Sequence, residues 1–270
     1  MRIGSLFHIV SVLILLGSTA GLYFLFKDKS VKAQRIFLLS LMILNLTQHL
    51  FKPLIYPHYR GQGFSVLSTA YNMCALLIVF MPLVFLMNSR FLKNFFYIIG
   101  AVAGGIPVVV PVWFFGTPVS ELGWEYARFY LCHALLHITA VLPLLLGHHC
   151  PAFREFWQIG LGFLMALSLI LLNNVIFILL GLSPGIDPNQ LYEGLCKHNA
   201  CLMMGPPGSM PWVGRIARYF SLPIFTGENP AGRYAPILWY AVPVYLGITA
   251  GSAIVFLLIT KFSTNRRLNS

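Results

Sequence analysis

The chain has 270 residues, of which 58% are hydrophobic and only 9% are charged, and its formal net charge is +11. Soluble domains carry about 25% charged residues, so this composition excludes an ordinary soluble protein and indicates a polytopic membrane protein. The basic residues lie singly or in short clusters between apolar segments rather than on one soluble face. This argues against nucleic acid as a partner and makes the basic residues a guide to membrane orientation.

The first apolar segment, residues 6–26, has some features of a secretory signal, because Arg2 precedes it and residues 17–20 are small. The apolar run continues past that cleavage point to Phe26. A dense positive cluster of the kind that resists export follows it. We therefore interpret the segment as the first transmembrane helix. The cluster comprises Lys27, Lys29, Lys32 and Arg35.

Seven apolar segments are long enough to cross about 30 Å of hydrocarbon as helices. The sequence therefore predicts an all-α, polytopic transmembrane bundle of about seven helices, organised as a single integral membrane domain over residues 1–270. A long outer loop, residues 182–235, precedes the last helix. The predicted helices lie at 6–26, 36–56, 67–87, 93–115, 125–147, 157–181 and 236–260.

The short loops differ in their positive charge. If the first loop is cytoplasmic, the short outside segments hold only Arg2 and Arg60, so the asymmetry predicts an outside N-terminus and a cytoplasmic C-terminus in the plasma membrane. In the long outer loop, the segment MPWVGRIARYFSLPIF suits either a helix in the membrane interface or an ordered loop. The inside connections hold Lys27, Lys29, Lys32, Arg35, Arg90, Lys93, Arg154, Lys261, Arg266 and Arg267.

Polar side chains in four of the predicted helices lie at one depth. Cys74 is seven residues, or about 10 Å, from the outer end of the third helix, and His133 is eight residues from that of the fifth. Polar groups inside hydrocarbon are costly unless they are paired, so a site in the outer third of the bilayer is expected. The second and sixth helices bring Gln48, His49, Asn173 and Asn174 to the same level.

A thiol beside an imidazole is the arrangement needed for cysteine nucleophilic catalysis. We therefore predict Cys74 as the nucleophile and His133 as its base, with His49 as a reserve partner. Orienting or oxyanion roles fall to Asn173, Asn174, Gln48 and His49. The competing interpretation is that the amides join helices as structural hydrogen bonds and that Cys74 packs as a small hydrophobe.

Other polar residues give weaker signals. Lys52 and Arg128, near outer helix ends, either snorkel or meet an anionic head group. Cys196 and Cys201 have the spacing of a small disulfide, if their compartment is oxidising. His148, His149 and Cys150 are consecutive, which favours a solvated turn over a metal site, and no metal or cofactor is predicted.

Several motifs resemble one family of membrane proteins. YNMCALLIVFMPLVFL resembles the "LPLHLC" helix of bacterial YwaF-like integral membrane proteins, which are related to eukaryotic transmembrane protein 164. FYLCHALLH is similar to the family's "FF.SH" helix, with His133 rather than His137 at the family histidine. LLNNVIFILLG and NACLMMGPPGSMPW resemble the sixth helix and the "NYLFL...P" motif, with Asn199 at the motif asparagine. The chain departs from the family at NMC and at Ala200, and residues 183–198 look inserted.

The resemblance implies a function. The eukaryotic relative is a lipid acyltransferase that uses a membrane Cys and His, and more remote androgen-induced hydrolases cleave fatty-acid esters with Thr in place of Cys. By resemblance, Cys74 accepts the acyl group, His133 is its base and Asn199 lies near the substrate head group. The expected partner is membrane phospholipid or lysophospholipid.

A second class of function stays open. A non-enzymatic seven-helix transporter or sensor would bind a small ligand at the same polar layer, although the sequence shows no convincing inverted repeat. The acyl donor, the acceptor, the choice between transfer and hydrolysis, and the oligomeric state do not follow from the sequence.

Overall fold

The computed structural model of the chain describes residues 6–55, 65–110, 119–206, 211–227 and 232–268. Within these ranges the secondary structure is helical, apart from one isolated bridge between Thr226 and Tyr234, so the predicted all-α class is confirmed. The helices are α1 (Leu6–Phe26), α2 (Val31–Leu50), α3 (Lys52–Ile55), α4 (Met73–Leu86), α5 (Arg90–Val109), α6 (Val119–Leu145), α7 (Trp157–Leu179), α8 (Leu191–His198), α9 (Pro211–Arg218) and α10 (Ala241–Leu268).

Among the described residues, four helical stretches are long and apolar enough to cross a membrane, namely Leu6–Phe26, Arg90–Val109, Ala127–Leu145 and Phe153–Leu179. Shorter apolar helices lie at Met73–Leu86 and Ala241–Leu257. The chain is therefore a polytopic membrane protein. Of the predicted spans, 6–26 coincides with α1.

Other predicted spans have different boundaries in the structure. The second begins at Val31 instead of residue 36, because the Ser30 hydroxyl accepts the Ala33 amide and caps the helix there. The third begins at Met73 instead of residue 67. The predicted outer loop 182–235 contains two short helices, α8 and α9. Predicted helix 93–115 runs past Val109 into 111–118, which lies outside the described residues.

The chain divides into two compact units, the first formed by residues 1–64 and 74–150 and containing α1 to α6. Helices α5 and α6 approach each other closely through glycines. A Cβ atom added at Gly104 would overlap with the backbone nitrogen of His137 and lie 2.7 Å from the carbonyl oxygen of His133. One added at Gly100 would lie 3.0 Å from both Ala140 of α6 and Met81 of α4. Small residues therefore bring three helices together.

The second unit comprises residues 65–73 and 151–270. Its core includes Ile178, Leu195 and Met204. The loop after α8 has left-handed backbone at three non-glycine residues, Asn199, Cys201 and Leu202. Two aromatic side chains fasten this loop, because Trp239 Nε1 donates to the Leu202 carbonyl at 3.0 Å and the Tyr240 hydroxyl donates to the Cys201 carbonyl at 2.6 Å.

Helix α9 lies in the segment for which an interfacial helix was considered. Gly214 and Ala217 are buried, whereas Trp212 and Ile216 are 52% and 47% exposed. The helix itself is confirmed. Its position in the membrane interface stays a prediction.

Candidate active site

Cys74 is the second residue of α4 and is partly exposed. The depth of about 10 Å predicted for it assumed a helix that begins at residue 67, so that estimate does not apply. The first amide groups of any α-helix have no partner within the helix, and they form the positive end of its dipole. The Cys74 thiol therefore lies near the positive end of the α4 dipole.

The segment before α4 is not α-helical, and side-chain hydrogen bonds within the second unit explain why. The Thr69 hydroxyl donates to the Val66 carbonyl at 2.6 Å, while Thr69 itself has extended backbone. Asn173 Nδ2 donates to the Thr69 hydroxyl at 2.9 Å, and Asn174 Nδ2 donates to the Tyr71 carbonyl at 3.2 Å. The two asparagines that were predicted to orient the histidine ring or hold an oxyanion thus bind this segment.

The Cys74 thiol contacts α5. Its Sγ donates to the carbonyl oxygen of Ala103 at 3.6 Å. In an α-helix this oxygen would accept the amide of residue 107, but Pro107 has no N–H. The proline therefore leaves a carbonyl available, and the thiol occupies it.

Two histidines of α6, His133 and His137, lie one helical turn apart, and the backbone of both is close to Gly104 of α5. His137 Nδ1 donates to the Ala101 carbonyl at 2.8 Å. His133 Nδ1 donates to the Phe129 carbonyl at 2.7 Å, and its ring packs 4.2 Å from the Phe129 ring. A carbonyl can only accept, so each Nδ1 carries a proton. In the neutral imidazole, Nε2 of both rings is then the basic nitrogen.

The helix crossing at Gly100 relates the levels of the thiol and the histidines. Cys74 precedes Met81 by seven residues, and His133 precedes Ala140 by seven. Each therefore lies about 10 Å along its helix from the common crossing. Since α5 runs antiparallel to both helices, the two displacements have the same direction. That the Cys74 sulfur lies within reach of His133 Nε2 stays a prediction.

A buried network centred on Asn45 joins α2 to α6. Asn45 Nδ2 donates to the Cys132 carbonyl at 3.1 Å, and Asn45 Oδ1 accepts the Gln48 amide at 2.6 Å and the Cys132 thiol at 3.4 Å. Cys132 immediately precedes His133. Gln48, a predicted site residue, thus reaches the histidine helix through Asn45, and His49 is buried beside it. The sequence interpretation missed Asn45, although it lies one turn before Gln48 in an apolar helix.

The residues predicted to meet a lipid head group have different surroundings. Lys52 is buried, with 2% exposure, rather than snorkelling to a surface. Arg128 is partly exposed. The Asn199 side chain binds its own loop, because its Oδ1 accepts the Met204 amide at 2.9 Å and its Nδ2 donates to the Gly205 carbonyl at 3.0 Å. The Asn199 amide therefore stabilises the left-handed loop.

The remaining cysteines and histidines show no metal or disulfide chemistry in the described ranges. Cys196 and Cys201 are both free thiols, and burial raises the pKa of Cys201. The described residues hold no group of three potential metal ligands. The predicted solvated turn at residues 148–150 is wrong for His149, which is buried and has Nε2 2.7 Å from Asn94 Oδ1.

Comparison with known proteins gives one match. A sequence profile described as the TMEM164 family matches residues 3–223. The match includes Cys74, both α6 histidines and the α7 asparagines. No curated protein and no solved structure matches the chain.

Proposed function

Because the chain belongs to the TMEM164 family and is a polytopic membrane protein, we propose that it is a lipid acyltransferase or lipid ester hydrolase. Cys74 is the proposed nucleophile and His133 its base. The substrates are membrane phospholipid and, for transfer, a lysophospholipid. The reaction proceeds through an acyl thioester on Cys74.

The observation that carries the proposal is the position of Cys74 in the first turn of α4. A partly exposed thiol at this position combines access with the positive end of a helix dipole. Amide groups of a first helical turn can also donate to the oxyanion of a tetrahedral intermediate. A thiol that served only as packing would not need either property.

The geometry of His133 supports its role as base. Its Nδ1 donates to Phe129, which orients the ring and leaves Nε2 to accept a proton. The matching distances of Cys74 and His133 from the Gly100 crossing support a shared level. His137 is better suited to positioning, because its Nδ1 holds Ala101 of the helix that also receives the Cys74 thiol. His49 remains the reserve base.

The proposed reaction has two steps. His133 takes the thiol proton as Cys74 sulfur attacks the ester carbonyl carbon, and the ester C–O bond then breaks as His133 returns the proton to the departing lysolipid oxygen. In the second step a lysophospholipid hydroxyl, or water, gives its proton to His133 and attacks the thioester carbon. The C–S bond breaks and the thiol is restored.

The other predicted residues have supporting roles. Arg128, five residues before His133, is the cation that we expect to bind the phosphate of the substrate. The hydrogen bonds of Asn173 and Asn174 support a role in orienting the segment 66–72 rather than in holding an oxyanion. Gln48 orients α6 through Asn45. The proposed orientation, with the C-terminus cytoplasmic, rests on the Lys and Arg asymmetry of the short loops.

The test is to incubate purified full-length protein with phospholipid labelled in its acyl chain, quench in acid and measure hydroxylamine-sensitive label on the protein. We expect label on the wild type and on Cys150→Ala, a control that removes an exposed thiol. Cys74→Ala should carry none. Equal labelling of wild type and Cys74→Ala would refute the covalent mechanism. Absent wild-type labelling, with a Cys74→Ser protein that binds a small ligand, would favour the transporter or sensor alternative.

A further inference from the structure

Two basic side chains of the first unit lie near one aromatic ring, that of Phe85 near the end of α4, and a third basic side chain lies close to these two. The Arg35 guanidinium carbon of α2 lies 5.7 Å from the centroid of this ring, and the His148 ring, just after α6, lies 6.4 Å from it. Lys93 of α5 is close enough to interact electrostatically with Arg35 and with His148. We refer to Arg35, Lys93 and His148 as the basic cluster.

The charge of the basic cluster is not balanced by a carboxylate in the described ranges. The ion pairs described there join Lys27 to Asp28 and Arg233 to Glu193, and neither involves the cluster. Like charges held together repel one another, whereas an anion placed between them attracts each of them. Clustered cationic donors of this kind recognise phosphate through charge-assisted hydrogen bonds.

His148 provides an independent indication of a ligand. Its Nε2 is enclosed by protein and has no hydrogen-bond partner among the described residues. The next residue, His149, has Asn94 as its partner and packs 5.6 Å from the Tyr97 ring. Buried polar atoms without partners are few in native proteins, and an ion is one of the explanations for such an atom. Of these two consecutive histidines, His148 in the basic cluster is therefore the one with an unsatisfied ring nitrogen.

The end of α4 that carries Phe85 also exposes apolar surface. Leu86, the residue after Phe85, is 58% exposed. A phosphate that carries acyl chains could place a chain on this side chain, whereas free phosphate would gain nothing from it. Basic residues next to apolar helix surface are a recurring feature of anionic lipid sites in membrane proteins.

We propose that Arg35, Lys93 and His148 bind the phosphate of an anionic phospholipid at the membrane surface. Phe85 follows Cys74 by eleven residues in one helix, so this site lies about 16 Å along α4 from the thiol. It is therefore a second lipid site, separate from the acyl-transfer centre, and it does not depend on Cys74 chemistry.

The experiment is native mass spectrometry of the detergent-solubilised full-length protein, titrated with phosphatidic acid or with phosphatidylcholine. We expect the wild type to retain phosphatidic acid preferentially. Arg35→Gln, Lys93→Gln and His148→Asn should each weaken that retention about tenfold, as expected for the loss of one hydrogen bond to a charged group. Lys32→Gln removes one exposed charge at the start of the same helix as Arg35, and it should bind like the wild type.

Two outcomes would overturn the proposal. Equal retention of phosphatidic acid by the wild type and by all three cluster variants would show that the basic cluster does not bind lipid. Inorganic phosphate that displaces phosphatidic acid at millimolar concentration, with no preference for the lipid, would assign the cluster to a free anion. Circular dichroism of each variant checks that the helices are intact. Arg35→Lys keeps the positive charge, so this variant should retain most of the binding that Arg35→Gln loses.

Discussion

The thiol of Cys74 donates its proton to the carbonyl oxygen of Ala103, 3.6 Å away in the neighbouring helix. A thiol that donates to a carbonyl is held in its protonated form, because a thiolate would face the negative end of the carbonyl dipole. This hydrogen bond therefore favours the thiol form of Cys74. Under the proposed function, His133 would have to accept this proton as the sulfur attacks an ester.

Replacement of Pro107 by alanine should change the reactivity of this thiol. Pro107→Ala supplies the backbone amide that would donate to the Ala103 carbonyl in a regular helix. This amide would then compete with the Cys74 thiol for the same carbonyl oxygen. Loss of one hydrogen bond of about 1 kcal/mol corresponds to roughly a fivefold rise in the rate of alkylation by N-ethylmaleimide. Pro143→Ala, in α6, is the matched control and should not alter the rate. A slower reaction in Pro107→Ala would contradict the prediction.

Replacement of His133 and replacement of His137 should have different effects on the rate of thioester formation. Removal of a general base costs at least about a hundredfold, so His133→Ala should abolish thioester formation in single-turnover assays. In the proposed mechanism Cys74 and His133 act as a unit, so the double variant should be little worse than either single one. His137→Ala should reduce labelling only modestly, through its contact with Ala101. A larger loss of thioester formation in His137→Ala than in His133→Ala would identify His137 as the base instead.

Gly104 should tolerate no side chain. In Gly104→Ala the new methyl group would meet backbone atoms of His133 and His137, which cannot move aside as a flexible side chain would. We expect a loss of about 1–3 kcal/mol in the free energy of unfolding. The control is Gly21→Ala in α1, where a Cβ atom has no neighbour within 4 Å, so helix propensity should leave stability unchanged or raise it by up to about 1 kcal/mol. Equal thermal midpoints in detergent would contradict the predicted clash.

Asn45 should contribute more to stability than an exposed polar residue of the same helix. Asn45→Ala removes the acceptor of Gln48 and Cys132 and the donor to the Cys132 carbonyl, at a cost of about 1–2 kcal/mol. Ser40→Ala, which removes an exposed hydroxyl of α2, should have little effect. Thermal unfolding of both variants measures the difference, and the double-mutant cycle with Gln48→Ala should show coupling. Additive losses at Asn45 and Gln48 would show that the network is not cooperative.

His148 predicts a pH dependence of stability. Burial, followed by the charges of Arg35 and Lys93, lowers the pKa of His148 below its usual value of 6.5. The unfolded chain then binds the proton more readily, so the stabilisation is fully present above pH 6.5 and is lost progressively as the pH falls from 6.5 through the lowered pKa of the folded state. Thermal midpoints at pH 7.5 and 5.5 should differ more for the wild type than for His148→Asn. Bound phosphatidic acid should shrink the difference, because an anion opposes the repulsion from Arg35 and Lys93. An identical pH response in His148→Asn would exclude His148 as its source.

The helices differ in how well hydropathy predicted them. The boundaries of α1 follow from the sequence, because an uninterrupted apolar run ends at Lys27. The start of α4 does not, since hydropathy measures the cost of transfer into hydrocarbon and not the backbone conformation. The residues before Met73 are apolar enough for a helix, but Asn173 and Asn174, about a hundred residues later, hold Thr69 and Tyr71 in another conformation.

The candidate site was predictable in its helices but not in its hydrogen bonds. A lone thiol and a histidine in neighbouring apolar helices identified α4 and α6. Asn45 was missed because its partner Cys132 is 87 residues away, and a single amide in an apolar run gives no sign of that partner. The acceptor of the thiol was equally hidden. A proline in an apolar helix indicates that one backbone amide is missing. Which side chain uses the carbonyl that Pro107 leaves available depends on the packing of α4 against α5.

The close approach of α5 and α6 at Gly104 limits the routes by which the lipid of the proposed reaction could reach Cys74. Backbone touches backbone there, so no fatty chain can pass between these two helices. The outer face of α4, by contrast, exposes Phe80 and Leu83. Under the proposed function, a phospholipid would therefore approach from the hydrocarbon beside α4 and would keep its tail in hydrocarbon throughout.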